Sequence, residues 1–140
     1  MKQIFVVLLS LMLITSSCMK HRLGSSAPVN ENVGSAAALV YKATFENGRY
    51  GKVSGIAEIY KQGSGYVVQL KNFTTTNGPA LHVMLSQEAT PVHYLDLGPL
   101  KSTNGNQVYT ISGNPDFSSY RFVSIHCVEY NHLFGYAALN

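Results

Sequence analysis

Cysteine is scarce in this sequence. Two of the 140 residues are cysteines, Cys18 and Cys127, and Cys18 follows an apolar amino-terminal run. Cys127 is therefore the one cysteine expected inside the folded domain. If Cys18 is consumed by modification, Cys127 has no disulfide partner within the chain, so its thiol must be buried, bound to something or reactive.

Charge is also scarce. Charged residues make up 12% of the chain, and the formal net charge of +3 is spread thinly along it. No basic patch of the kind that grips phosphate backbones is visible, so we expect no nucleic-acid partner. The acidic residues are isolated, so none is paired as a general acid and base, and Ser124 lacks a glycine elbow. We therefore do not expect a stand-alone enzyme.

The apolar run at the amino terminus is too short for a membrane span. Lys2 precedes Ile4 to Ile14, which is almost wholly apolar, whereas a transmembrane helix needs about 20 residues. Small residues then lead into Cys18, and the whole segment resembles a bacterial lipoprotein signal. We predict a signal peptide over residues 1–17, cleaved before a lipidated Cys18. The alternative is an ordinary secretory signal cut near Ser17.

A tether and one domain are predicted after the signal. Residues 18–37 comprise the lipidated cysteine and a flexible tether, because they are rich in glycine, serine and asparagine and lack an apolar period. Acyl chains on Cys18 would anchor the protein to a bacterial membrane without spanning it, at the periplasmic or the cell-surface face. Either kind of signal takes the mature chain out of the cytoplasm. Residues 38–140 then form a single domain.

The remainder of the chain is typical of an all-β protein. No segment carries a helical stripe, and glycine or asparagine recurs at short intervals, where tight turns tolerate positive φ. We predict a single antiparallel β-sandwich or barrel of about eight short strands. The predicted strands are Leu39–Phe45, Lys52–Tyr60, Tyr66–Phe73, Leu81–Ser86, Val92–Leu97, Gln107–Ile111, Arg121–Cys127 and Tyr136–Leu139.

The strand that ends at Cys127 determines where the thiol points. In the alternation of a strand, Val123, Ile125 and Cys127 share one face, while Ser124 and His126 share the other. Free cysteine is often buried as a small apolar side chain. This phase favours burial of Cys127, and a reactive thiol remains the alternative.

A metal site is a further possibility. Thiolate and imidazole are combined in blue-copper sites, often on a loop near the carboxyl end, and Cys127 and His132 have a suitable spacing, with His126 and His82 as further candidate ligands. Against copper, no methionine follows His132 closely, and His82 lies on a face expected to point away from the core with Met84. The cofactor prediction is therefore copper or another redox metal, or none.

Five segments, taken in order, resemble the DM-thirteen domain over about Val40 to Leu139. The resemblance implies a β-sandwich with one near-universal cysteine, here Cys127. It also implies a role in electron transfer or redox chemistry, because that domain occurs beside DOMON and b-type cytochrome modules. Two residues depart from the usual pattern: Ala80 replaces an acidic residue, and His126 replaces an aromatic one. The segments are Gly51–Tyr60, Leu70–Ser86, Leu97–Ile111, Val123–Cys127 and Phe134–Leu139.

Three hypotheses for function follow. The first, implied by the resemblance, is a membrane-anchored redox or electron-transfer module with a redox protein partner, in which Cys127 reacts and a nearby imidazolium favours its thiolate. The second is a non-catalytic binding or scaffold domain with a structural buried cysteine, which would use surface tyrosines for contacts. The third is a copper-binding carrier similar to cupredoxins. The tyrosines in question are Tyr50, Tyr60, Tyr94 and Tyr130.

Overall fold

A computed structural model describes residues 23–140, so the predicted signal over residues 1–17 and the lipidation site Cys18 lie outside the described residues. The described part contains strands and turns and no helix, and hence no helix that is long and apolar enough to cross a membrane. The strands are β1 (Val29–Asn30), β2 (Ala38–Asn47), β3 (Val53–Gln62), β4 (Gly65–Thr75), β5 (Leu81–Ser86), β6 (Tyr94–Pro99), β7 (Asn104–Ile111), β8 (Phe122–Cys127) and β9 (His132–Ala138).

The nine strands form one sheet that curls into a half barrel, in the order β1-β7-β4-β3-β2-β9-β8-β5-β6. β2 joins its two halves, because Ala38 to Thr44 pair with β3 while Phe45 to Asn47 pair with β9. Every neighbouring pair is antiparallel except β1 with β7. The predicted all-β, largely antiparallel class is confirmed, with one strand more than predicted.

Three predicted strand starts are wrong by two or more residues, and one of them is β7, which begins at Asn104 rather than Gln107. β9 begins at His132 rather than Tyr136, because Gly135 continues the strand and does not break it. A Cβ at Gly135 would lie 2.6 Å from Val53 Cγ2, so the missing side chain lets the two strands approach. β6 begins at Tyr94 rather than Val92, because Gln87 N donates to His93 O (2.9 Å) and closes residues 87–93 into a turn.

The concave side of the sheet holds the core. Side chains from both halves are almost fully covered there, and the rings of Phe45 and Phe73 meet edge to face at 5.5 Å. Cys127 belongs to this core and is 1% exposed, so the predicted strand phase of Val123, Ile125 and Cys127 is confirmed. Other members of the core are Ala57, Ile59, Val68, Leu70, Val83, Leu85 and Ala137.

The opposite face of β5 and β8 is also covered, which corrects the expectation for Met84. That side chain lies on the same face as His82, outside the main core cluster, but it is only 1% exposed. Residues 87–93 lie against this face, where Ser86 Oγ donates to Glu88 O (2.8 Å) and Ser124 Oγ to Ala89 O (3.0 Å). A loop thus buries a face that strand alternation alone predicts to be open.

The predicted tether is partly docked on the domain. β1 pairs in parallel with β7 through Val29 and Gly105, where glycine leaves room for the approaching backbone. Ser102 Oγ donates to Ala27 O at 2.6 Å, and Lys101 Nζ contacts Glu31 Oε2 at 2.6 Å. The segment docks through hydrogen bonds and an ion pair, contacts that an apolar period cannot reveal. The extra strand therefore comes from residues predicted to be a flexible tether.

Candidate functional site

Cys127 lies at the end of β8, between two neighbouring strands. Its register partners are Leu81 on β5 and His132 on β9. The thiol donates a hydrogen bond to the carbonyl oxygen of Pro79, with Sγ and O 2.9 Å apart. A carbonyl can only accept, so the sulfur carries its hydrogen in this arrangement. The described structure thus holds Cys127 as a buried thiol rather than an open nucleophile.

The turn from Gly78 to Ala80 covers the thiol. Val128 N donates to Ala80 O (3.1 Å), so the turn is tied to the end of β8 beside the Cys127 hydrogen bond. Ala80 has a φ of +48°, in the left-handed region that strains a residue with a Cβ. Because this is the position where the resemblance predicts an acidic residue, the departure occurs in the strained part of the turn.

His126 is buried on the opposite face of β8 and is 4% exposed. Its Nε2 lies 2.9 Å from Asn131 Oδ1, an acceptor, so Nε2 carries the hydrogen. Nδ1 is buried and has no hydrogen-bond partner among residues 23–140. Burial lowers the pKa of His126, its hydrogen bond to Asn131 opposes this, and nearby His132 adds to the lowering. His126 is therefore a neutral, structurally held imidazole at neutral pH.

An exposed aromatic stack lies next to Cys127 in the sheet. The His132 ring lies parallel to Tyr50, with ring centres 3.6 Å apart and an angle of 3°, and Tyr130 approaches it at 5.9 Å. The guanidinium of Arg49 also lies over the Tyr50 ring, at 5.6 Å from its centre. Tyr50 and Tyr130 are about half exposed. The stack joins residues over 80 positions apart, so sequence spacing could not predict it.

His82 makes a different contact from the other candidate ligands. Its Nδ1 lies 3.0 and 2.9 Å from the two carboxylate oxygens of Asp96, on the neighbouring strand β6. Across residues 23–140, no three His, Cys, Asp or Glu side chains come together as a metal-binding group. The candidate ligands Cys127, His126, His132 and His82 are instead directed to Pro79, Asn131, Tyr50 and Asp96, respectively.

A buried carboxylate on β3 was missed by the sequence reasoning. Glu58 is 2% exposed, accepts a hydrogen bond from Tyr60 OH (2.8 Å) and lies within 4 Å of the ammonium groups of Lys42 and Lys71. Burial, followed by the contact with Glu58, raises the pKa of Tyr60. The cluster spans β2, β3 and β4, so the only signal in the sequence was an acidic residue within a strand that reads as apolar.

Comparison with known families adds to this geometry. The model of the family described as Electron transfer DM13 matches residues 44–139, from within β2 to just after β9. The chain belongs to the DM13 family. The predicted resemblance is confirmed, and the DM13 region contains Pro79, Cys127 and all three candidate histidine ligands. No curated protein and no solved structure matched the chain.

Proposed function

We propose that this DM13 protein is an electron-transfer module held outside the cytoplasm, anchored to a bacterial membrane by lipid on Cys18, with Cys127 as its redox group. Membership of the family described as electron transfer carries the proposal. Cys127 is also the only cysteine in the described part of the chain. Its location behind a single turn supports a thiol that is protected between reactions and released when that turn moves.

The proposed step is thiol–disulfide exchange with a redox protein partner that carries a disulfide. The Cys127 thiolate attacks one partner sulfur, an S–S bond forms as the partner's own S–S bond breaks, and the second partner sulfur leaves as a thiolate. The proton from Cys127 passes to water. A second redox protein that carries two reduced thiols then attacks the mixed disulfide at the Cys127 sulfur, which releases the first partner as a dithiol. Its other thiol displaces Cys127, so two electrons pass from the dithiol protein to the first partner's disulfide and the Cys127 thiol is restored. Because Cys127 is 1% exposed, the turn from Gly78 to Ala80 must open before the first attack.

The test is the reaction of full-length protein in detergent with an aromatic disulfide reagent that releases a coloured thiolate. If the turn opens locally, Cys127 labels much faster than the whole domain unfolds, and a Cys127→Ser variant in the same protein background shows no such phase. Global unfolding is measured separately by urea denaturation. Labelling that occurs only as fast as global unfolding would contradict a redox role for Cys127.

The burial of Cys127 favours one second candidate, a non-catalytic binding or scaffold domain. In that case the thiol serves only to fill the core and to satisfy Pro79 O, and the exposed stack of Tyr50, His132 and Tyr130 provides the contact surface. Aromatic residues are enriched at protein interfaces. The same labelling experiment separates the two candidates, because a structural cysteine reacts only upon global unfolding.

A further inference from the structure

A cavity of about 480 Å³ lies between the docked amino-terminal segment and the start of β5. This volume falls in the range of small-molecule sites, about 300–1,000 Å³. Most of the wall is apolar, since it is formed by Leu23, Ala80, Leu81, Pro99 and Leu100. The segment over Leu23 to Ser25 is held in place by a bridge to Pro79 and by a hydrogen bond from Thr103 N to Ser25 O (2.8 Å).

Three polar side chains line this cavity, and two of them are engaged elsewhere. Lys101 Nζ lies 2.6 Å from both Glu31 Oε2 and Val108 O, and Ser25 Oγ accepts a hydrogen bond from Ala27 N (3.2 Å). The third is His82, whose side chain is 22% exposed. His82 is therefore the one lining side chain whose acceptor atom takes part in no hydrogen bond among residues 23–140.

The contact with Asp96 determines what His82 offers to that ligand. A carboxylate can only accept hydrogen bonds, so Nδ1, at 2.9 Å from Asp96 Oδ2, carries the hydrogen. In the neutral imidazole Nε2 then holds a lone pair, and no group among residues 23–140 hydrogen-bonds to it. The lining residues of the cavity thus combine one imidazole nitrogen that can accept a hydrogen bond with several apolar side chains.

We propose that this cavity is a binding site for a small phenol-type molecule, an apolar ring with one hydroxyl group. The hydroxyl donates to His82 Nε2, and the ring packs against Leu81 and Leu100. A rigid ring suits the site because it buries apolar area without losing internal freedom. This inference concerns binding alone and does not rest on the proposed redox role of Cys127.

Phenol and anisole are a matched pair of probes, because they share the ring and the oxygen but anisole has no hydroxyl hydrogen. Full-length protein labelled with ¹⁵N-histidine and ¹³C-methyl leucine is titrated in detergent with each probe. Phenol is expected to shift the His82 Nε2 signal and the Leu81 and Leu100 methyl signals saturably. Anisole is expected to bind about fivefold to tenfold more weakly, since it loses one hydrogen bond.

His82→Phe keeps a ring at the site but removes the acceptor, so phenol and anisole should then bind equally, as read from the leucine methyl signals. His93→Phe is the matched control: His93 Nδ1 contacts Glu88 at 2.8 Å but does not line the cavity. Asp96→Ala serves as a second variant if His82→Phe does not fold; it frees the tautomer and should reduce the preference for phenol. Absence of saturable shifts, equal affinities in the wild type, or a preference that survives His82→Phe would overturn the proposal.

Discussion

Gly78→Ala should both destabilise the domain and expose Cys127. A Cβ at position 78 would lie 2.6 Å from Phe134 Cζ and 3.0 Å from Cε1, well inside the usual carbon contact of about 3.5–4.0 Å. The ring also lies close to the Gly51 backbone, where a Cβ would be 2.5 Å from its Cδ1. We therefore expect the turn that covers Cys127 to shift. Overpacking of this kind costs about 1–3 kcal/mol.

The free energy of unfolding is measured by urea denaturation of the full-length protein, and the reaction of Cys127 is measured with the disulfide reagent. If the strain is relieved when the turn opens, a cost of about 1–3 kcal/mol shifts the opening equilibrium of the turn and raises the labelling rate of Cys127 about 5-fold to 150-fold. Gly65→Ala is the matched control, because a Cβ there meets nothing within 4 Å. Its stability should be unchanged or slightly raised.

A double-mutant cycle tests the cause of this effect. Phe134→Leu removes Cζ, the ring atom nearest to the new Cβ, so the cost of Gly78→Ala should be smaller in that background. Additive costs would show that Phe134 does not limit position 78. A Gly78→Ala protein with wild-type stability and wild-type labelling would refute the packing argument altogether.

The remaining predictions concern backbone strain, titration and docking. Ala80→Gly should raise the free energy of unfolding by up to about 1 kcal/mol in urea denaturation. Glycine removes the strain of the left-handed φ of +48°, and this gain exceeds the backbone entropy that glycine loses on folding. A loss of stability would contradict the assigned strain. Because burial lowers the pKa of His126, its contribution to stability should be fully present above the unfolded pKa of about 6.5 and should be lost as the pH falls towards the folded pKa. The thermal midpoint of His126→Gln should not show this loss over the same pH range. Glu31→Ala removes the carboxylate that contacts Lys101 Nζ and Val108 N. Amide hydrogen exchange in β1 should then accelerate, while the thermal midpoint of the domain changes little. Unchanged exchange in β1 would contradict docking through Glu31.

The sequence predicted those features that depend on residues close together in the chain. The alternation around Cys127 predicted its burial, and Leu81–Ser86 was predicted with the bounds that the structure has, because alternation and turn residues are local signals. Gly135 was misread for the same reason: glycine ends many strands, and only the position of Val53 shows that here it permits close pairing. The family was also predicted correctly, from five short segments in order.

The sequence alone thus determined the fold class, the family and the direction of the Cys127 side chain, because strand alternation, turn chemistry and segment order are properties of the linear chain. Only the tertiary structure decided what each side chain meets. It placed the Cys127 thiol on Pro79 O, stacked His132 on Tyr50, and joined His82 to Asp96 beside an apolar cavity. These contacts join residues that the order and curling of the sheet bring together, and the spacing of the residues along the chain encodes neither the order nor the curling.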